Sequence, residues 1–182
     1  MPPDHGPFDP QRMLEVLARH HVDCVVIGGY AAVLAGIDIV TRDIDITPAT
    51  DPANMQRLTD ALQELHAAIR ARPGEPPVPL PADPHLLARA EIWNLATDAG
   101  ELDITTRPDG TNGYDDLKHG AYRLPLSDGL EIAIASLPDI IRSKTAAGRA
   151  KDLAALPQLR AALERQQRTP NATNKPTDPD VD

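Results

Sequence analysis

A chain of 182 residues is long enough for one domain with a useful core, with or without a tail. Its 41% hydrophobic and 25% charged residues read as soluble and globular, and a net charge of −9 argues against broad, non-specific coating of nucleic acid. Cys24 is the one cysteine, which excludes an internal disulfide; no Cys/His set has zinc spacing, and no apolar run approaches the ~18–20 residues of a membrane span. Aromatics are only 3%, so aliphatic side chains must build the core. The opening Met1-Pro2-Pro3-Asp4-His5 lacks the basic and apolar regions of a signal peptide, so a cytoplasmic location with no membrane contact is expected.

Asp9 and Pro10 predict the start of a helix over 10–20, with Met13, Leu14 and Leu17 on its apolar side. Cys24-Val25-Val26-Ile27 is a short apolar run that suits a strand covered on both faces, and Gly28-Gly29 turns it into a helix from Tyr30. Residues 41–47 alternate with period two until Pro48. Met55, Leu58, Leu62, Leu65 and Ile69 recur at threes and fours, which predicts a long helix over 52–70. A proline-rich surface loop over 73–84 follows. Residues 91–97 and 101–106 read as a β-hairpin, 107–120 as a loop, and 122–126 and 130–133 as two short strands. Ser136 caps a helix to about residue 146, and Gly148 separates it from a last helix over 149–167. The polar, proline-bearing segment 169–182 is expected to be a disordered tail. The fold class is therefore α/β of the α+β type: one domain over 1–168, a small mixed sheet of four to six mostly antiparallel strands, flanking helices and C-terminal helices.

Within this frame three acidic residues share a chemical logic. Residues two apart on a strand share a face, so Asp43 and Asp45 project together, with Cα atoms roughly 6.5–7 Å apart. Asp103 lies between apolar neighbours on another predicted strand, as a third ligand on the same sheet would. Carboxylates at that spacing are hard oxygen ligands suited to Mg²⁺ or Mn²⁺ and to the two-cation clamp for displacement at phosphorus. Gly28-Gly29 lets a phosphate approach the backbone closely. Taken singly, each feature has a plainer reading: a wet strand face, a turn, a solvated carboxylate. From Arg142 to Arg168 seven basic residues meet two acidic ones, a window able to hold a polyanion or simply a solvated helix face.

Gly28-Gly29, the Thr41-Arg42-Asp43-Ile44-Asp45-Ile46 run and Asp103 resemble the nucleotidyltransferase fold of the DNA polymerase β superfamily. Together with Ile27-Gly28-Gly29-Tyr30-Ala31, Lys144 and Arg149-Ala150-Lys151-Asp152-Leu153, they are similar to the AbiE-type and MenT-type nucleotidyltransferase toxins of toxin–antitoxin pairs. The resemblance covers roughly residues 20–165. It implies an enzyme that moves a nucleoside monophosphate from an NTP to an acceptor hydroxyl and releases pyrophosphate. Asp43, Asp45 and Asp103 would hold the metal, and Lys144 would bind phosphate beside Gly28, Gly29 and Arg42. Asp152 would orient a basic partner or the nucleotide. It further implies the 3′ end of tRNA as acceptor, a cognate antitoxin as partner, and Thr41 as a hydroxyl that an antitoxin could phosphorylate. A small-molecule acceptor of the aminoglycoside type competes with tRNA, and a non-catalytic nucleotide- or partner-binding module competes with both. The histidines share no spacing, Trp93 reads as core, Ser136 as a cap, and Cys24 as a buried small apolar residue.

Overall fold

The computed structural model describes residues 7–72 and 74–168; the tail expected over 169–182 lies outside the described residues, as does Pro73. The chain runs α1 (Pro10–Arg19), β1 (Cys24–Ile27), α2 (Gly28–Leu34), β2 (Asp43–Pro48), α3 (Pro52–Glu64), β3 (Ala68–Ile69), β4 (Val78–Pro79) and α4 (Pro84–Leu87). It continues through β5 (Ile92–Thr97), β6 (Gly100–Thr105), α5 (Tyr114–Gly120), β7 (Tyr122–Pro125), a 3-10 turn (Ser127–Gly129), β8 (Glu131–Ile134), α6 (Leu137–Ala147) and α7 (Ala150–Arg168).

Three helices start on one local device. Asp9, Asp51 and Asp83 each accept a hydrogen bond from a backbone N–H in the first turn, at 2.9–3.0 Å, and each is followed by proline. The carboxylate satisfies an orphan donor, and proline has no N–H to satisfy. Ser136 caps α6 in the same way, and Gly148 closes it in the left-handed conformation.

The strands form one sheet in the order β4-β3-β5-β6-β2-β1-β8-β7. The pairings β1–β8 and β2–β6 are parallel and the others antiparallel. Eight strands exceed the four to six expected, because two short strands form where a helix and a loop were predicted. The long helix ends at Glu64, not at residue 70: His66 takes a positive φ of 50°, which reverses the chain. Ile69, whose spacing matched the helix, pairs instead with Leu95 across the sheet. Val78 and Pro79 form the outermost strand of the proline-rich segment, at an edge where a residue without an N–H is tolerated. The loop expected over 107–120 holds α5, anchored by buried Leu117. Thr41 and Arg42 precede β2 rather than opening it.

In β2 and β6 alternation divides the two faces. Ile44, Ile46, Leu102 and Ile104 are fully buried and join Met13, Leu17, Leu58 and Leu62 in the aliphatic core. Cys24 lies in that core, and burial pushes its thiol up to about 12, so it is inert as a nucleophile. Among the described residues no helix is long and apolar enough to cross a membrane.

Candidate active site

The opposite face of the same strands carries the acidic residues. Register sets them side by side: in the parallel β2–β6 pairing Asp43 is opposite Glu101 and Asp45 is opposite Asp103. Paired residues of adjacent strands project to one side, so Asp43, Asp45, Glu101 and Asp103 share a face. Burial, then the charges of Asp43 and Asp103, push the Asp45 carboxyl up to about 7, against the pull of Lys144 and Lys151. Asp103 is also raised, by burial first, although Arg70 opposes the shift.

Gly28 and Gly29 meet this face where β1 turns into α2. A Cβ built on Gly28 would lie 2.1 Å from Oδ2 of Asp45, and φ is +69°. One on Gly29 would lie 2.9 Å from Oγ1 of Thr41. The two glycines therefore make room for site side chains of this chain, a closer reason for them than approach to a phosphate. Thr41 donates from its hydroxyl to Oδ1 of Asp43 at 2.7 Å, which places it at the carboxylates although it stands outside the strand.

Across from the sheet, α6 and α7 meet around Asp152, whose side chain is 1% exposed. Its Oδ1 accepts from Nζ of Lys144 at 3.0 Å and its Oδ2 from Nε of Arg149 at 2.5 Å. Burial disfavours its charge, but the hydrogen bonds from Arg149 and Lys144, with their positive charges, outweigh it and hold the carboxyl below the ordinary carboxylate range. Asp152 is thus a buried anchor that fixes two cations, rather than an ordinary first-turn acid.

The nine candidate site residues expected from the sequence line one cavity of about 550 Å³: Gly28, Gly29, Thr41, Arg42, Asp43, Asp45, Asp103, Lys144 and Asp152. Arg149 and Lys151 line it as well, so an acidic wall on the sheet faces a basic one on the helices. A space of this size suits a nucleotide-sized ligand. The donor set fits a hard divalent cation, since the acidic wall offers only carboxylate oxygens and its most buried member is burdened by like charge. Among the described residues, no three His, Cys, Asp or Glu side chains close into a ready cage. The wall is an open one, and Asp43 and Asp45, with Asp103 beside them, are the residues that would hold such a cation.

Arg70 was missed by sequence reasoning. Its guanidinium pairs with Glu101 and with Oδ1 of Asp103, and donates to Oδ1 of Asn94 at 3.3 Å. In the sequence it sits at the end of an apparent helix, and only the long-range pairing of β3 with β5 brings it here. The basic window 142–168 is largely committed internally: Arg142 pairs with Asp116 and Asp139, Lys144 and Arg149 with Asp152, and Arg168 with Glu164. Trp93 is half-buried and donates from its indole N–H to the Leu87 carbonyl, in keeping with a packing role.

No family model and no curated protein matches the chain. Among solved structures it is similar to a protein of Thermotoga maritima that carries the provisional name of nucleotidyltransferase, at 19% identity. That likeness covers 85% of this chain and 89% of the other, with a TM-score of 0.49.

Proposed function

We propose that this chain is a metal-dependent nucleotidyltransferase. The observation that carries the reading is the register of β2 with β6: it sets Asp45 beside Asp103, with Asp43 on the same face, opposite a wall bearing Lys144, Arg149 and Lys151. Acidic groups that would hold cations, facing basic groups across the cavity, match the two ends of a triphosphate. The α-phosphate, carried with its cations, goes to the carboxylates, and the pyrophosphate portion goes to the lysines and arginine. Mg²⁺ or Mn²⁺, when bound, supplies charge neutralisation at the α-phosphate. In the reaction an acceptor oxygen attacks the α-phosphorus, the bond to the bridging oxygen of the β-phosphate breaks, and pyrophosphate leaves with the electron pair. The proton of the acceptor hydroxyl passes to a carboxylate of the acidic wall. Asp152 holds Lys144 and Arg149 in place for the leaving group.

The acceptor we favour is the 3′ end of tRNA, with the chain acting as a toxin that blocks translation under the control of an antitoxin. This rests on the resemblance of the Gly-Gly, Asp-x-Asp and Lys-Asp motifs to the AbiE-type and MenT-type enzymes. A small-molecule acceptor is the second reading, and one observation favours it. Beside Asp103 the cavity is lined by Ile92, Asn94 and Thr105, and the neighbouring cation, Arg70, is tied to Glu101 and Asp103. That wall suits a neutral or cationic acceptor better than a polyanion.

Incubation with each [α-³²P]NTP, Mg²⁺, and either total RNA or an aminoglycoside panel tests the reading. Label is expected on an acceptor, predominantly RNA, and none with Asp45→Asn. Binding of NTP with no label on any acceptor would identify a non-catalytic nucleotide-binding module instead.

A further inference from the structure

Of the three carboxylates, Asp103 is the one with an ion-pair partner among the described residues, and that partner is firmly held. Arg70 follows β3, and its backbone N–H donates to the Asn94 carbonyl at 2.9 Å. Its guanidinium spans two residues of β6, one nitrogen on Glu101 and the other on Oδ1 of Asp103. The side chains of Arg70, Glu101 and Asp103 are only 23%, 31% and 17% exposed. A planar fork pinned at its backbone and at both nitrogens has little freedom to swing away.

The consequence concerns how Asp103 can ligate. A carboxylate has two oxygens and can take a cation on one or both. Arg70 takes a lone pair of Oδ1 with a charged donor, so a cation drawing on both oxygens would have to compete with it, and Oδ2 is the oxygen that carries no such donor among the described residues. We propose that Arg70 is a positioning residue of the nucleotidyltransferase site: by competing for Oδ1 it disfavours two-oxygen coordination by Asp103 and thereby weakens the hold of the carboxylate face on a divalent cation. Glu101 belongs to the same device, because it anchors the other arm of the fork. This inference rests on the nucleotidyl-transfer reading. Its value to such an enzyme is release: a cation held by two protein carboxylates and only one oxygen of the third can leave with pyrophosphate.

Arg70 also adds a positive charge near the site, and the two effects separate in a charge-neutral pair. Arg70→Gln removes the fork and one positive charge; Arg70→Gln with Glu101→Gln removes the fork and leaves the net charge of the wild type. Mn²⁺ binding is measured by titration with electron paramagnetic resonance, at pH 8 and without nucleotide. Arg70→Gln is expected to tighten binding about fivefold, the loss of the fork and the loss of one screened unit charge acting together. The double variant is expected to remain about threefold tighter than wild type, and to lose that gain in an Asp103→Asn background, where no oxygen is freed. Arg70→Lys keeps the charge and loses the fork, and is expected to fall between wild type and Arg70→Gln; it decides the matter if the Gln variants do not fold. A double variant, or a folded Arg70→Lys, with wild-type affinity would overturn the proposal. Should the wild type bind Mn²⁺ and transfer nucleotide in that case, only this inference fails. If the wild type binds no Mn²⁺ with or without NTP, the nucleotidyl-transfer reading fails too.

Discussion

Asp45 costs the fold stability whenever it is ionised without a cation. Its carboxyl is pushed from an ordinary 3.8 up to about 7, first by burial and then by Asp43 and Asp103. Between those values the folded chain holds a proton that the unfolded chain has released. Stability must therefore fall as pH rises through this window, with the full cost present above about 7. Thermal unfolding in EDTA should show wild type losing more stability from pH 5 to pH 8 than Asp45→Asn, which keeps only the smaller contribution of Asp103. The gap at pH 8 should be on the order of 2–4 kcal/mol, and superimposable pH profiles would contradict the burial and crowding described. Gly28→Ala tests the same contact from the other side. A methyl group 2.1 Å from Oδ2 of Asp45, on a backbone at φ +69°, must displace the carboxylate. We expect about 1–3 kcal/mol of destabilisation by urea unfolding and loss of transfer. Thr41 offers a third test at this scale. A phosphate on its hydroxyl would add about −1.5 to −2 charge at a group 2.7 Å from Asp43, where it would repel the incoming triphosphate. A sample fully phosphorylated at Thr41, verified by mass spectrometry, should be inactive; full activity would exclude that route of control.

The elements that carry the site differ in how far their own residues announce them. Strand β2 is legible, because alternation sorts Ile44 and Ile46 from Asp43 and Asp45 without any knowledge of the neighbours. The hairpin of β5 and β6 is legible too, although its turn is tighter than expected and Gly100 lies within the strand. What could not be read is the parallel pairing of β2 with β6, which joins segments more than fifty residues apart and decides that Asp103 stands beside Asp45. Nor could β3 be read, since Ile69 fits the helical spacing and only the reversal at His66 removes it from the helix. Arg70 went with it. The junction of α6 and α7 is intermediate: Gly148 marks the break, but the burial of Asp152 between Lys144 and Arg149 comes from packing. Removing that anchor as Asp152→Ala leaves two cations crowded at the junction. We expect a loss of about 2–3 kcal/mol in urea at unchanged slope, with transfer reduced even under conditions where the variant is folded. Because Asp152 sits below the ordinary carboxylate range, its contribution is present above the unfolded value and lost as pH falls through the folded one.

At the scale of the molecule, a net charge of −9 coexists with a basic wall formed by Lys144 of α6, Lys151 of α7 and Arg149 between them. In the segment 142–168, Arg142, Lys144, Arg149 and Arg168 answer carboxylates of their own chain. On the proposed reading, recognition of an NTP would depend on one cavity with acidic and basic walls, local in position. The same reading has this cavity move a nucleoside monophosphate onto an acceptor hydroxyl. Its most direct test is the stoichiometry of the two products under single-acceptor conditions, with pyrophosphate and α-labelled acceptor counted in the same reaction. One pyrophosphate for each labelled acceptor is predicted for the wild type, with both products absent in Asp43→Asn and Asp45→Asn. Release of free nucleoside monophosphate or inorganic phosphate in place of that pair, or undiminished product from Asp45→Asn, would contradict it.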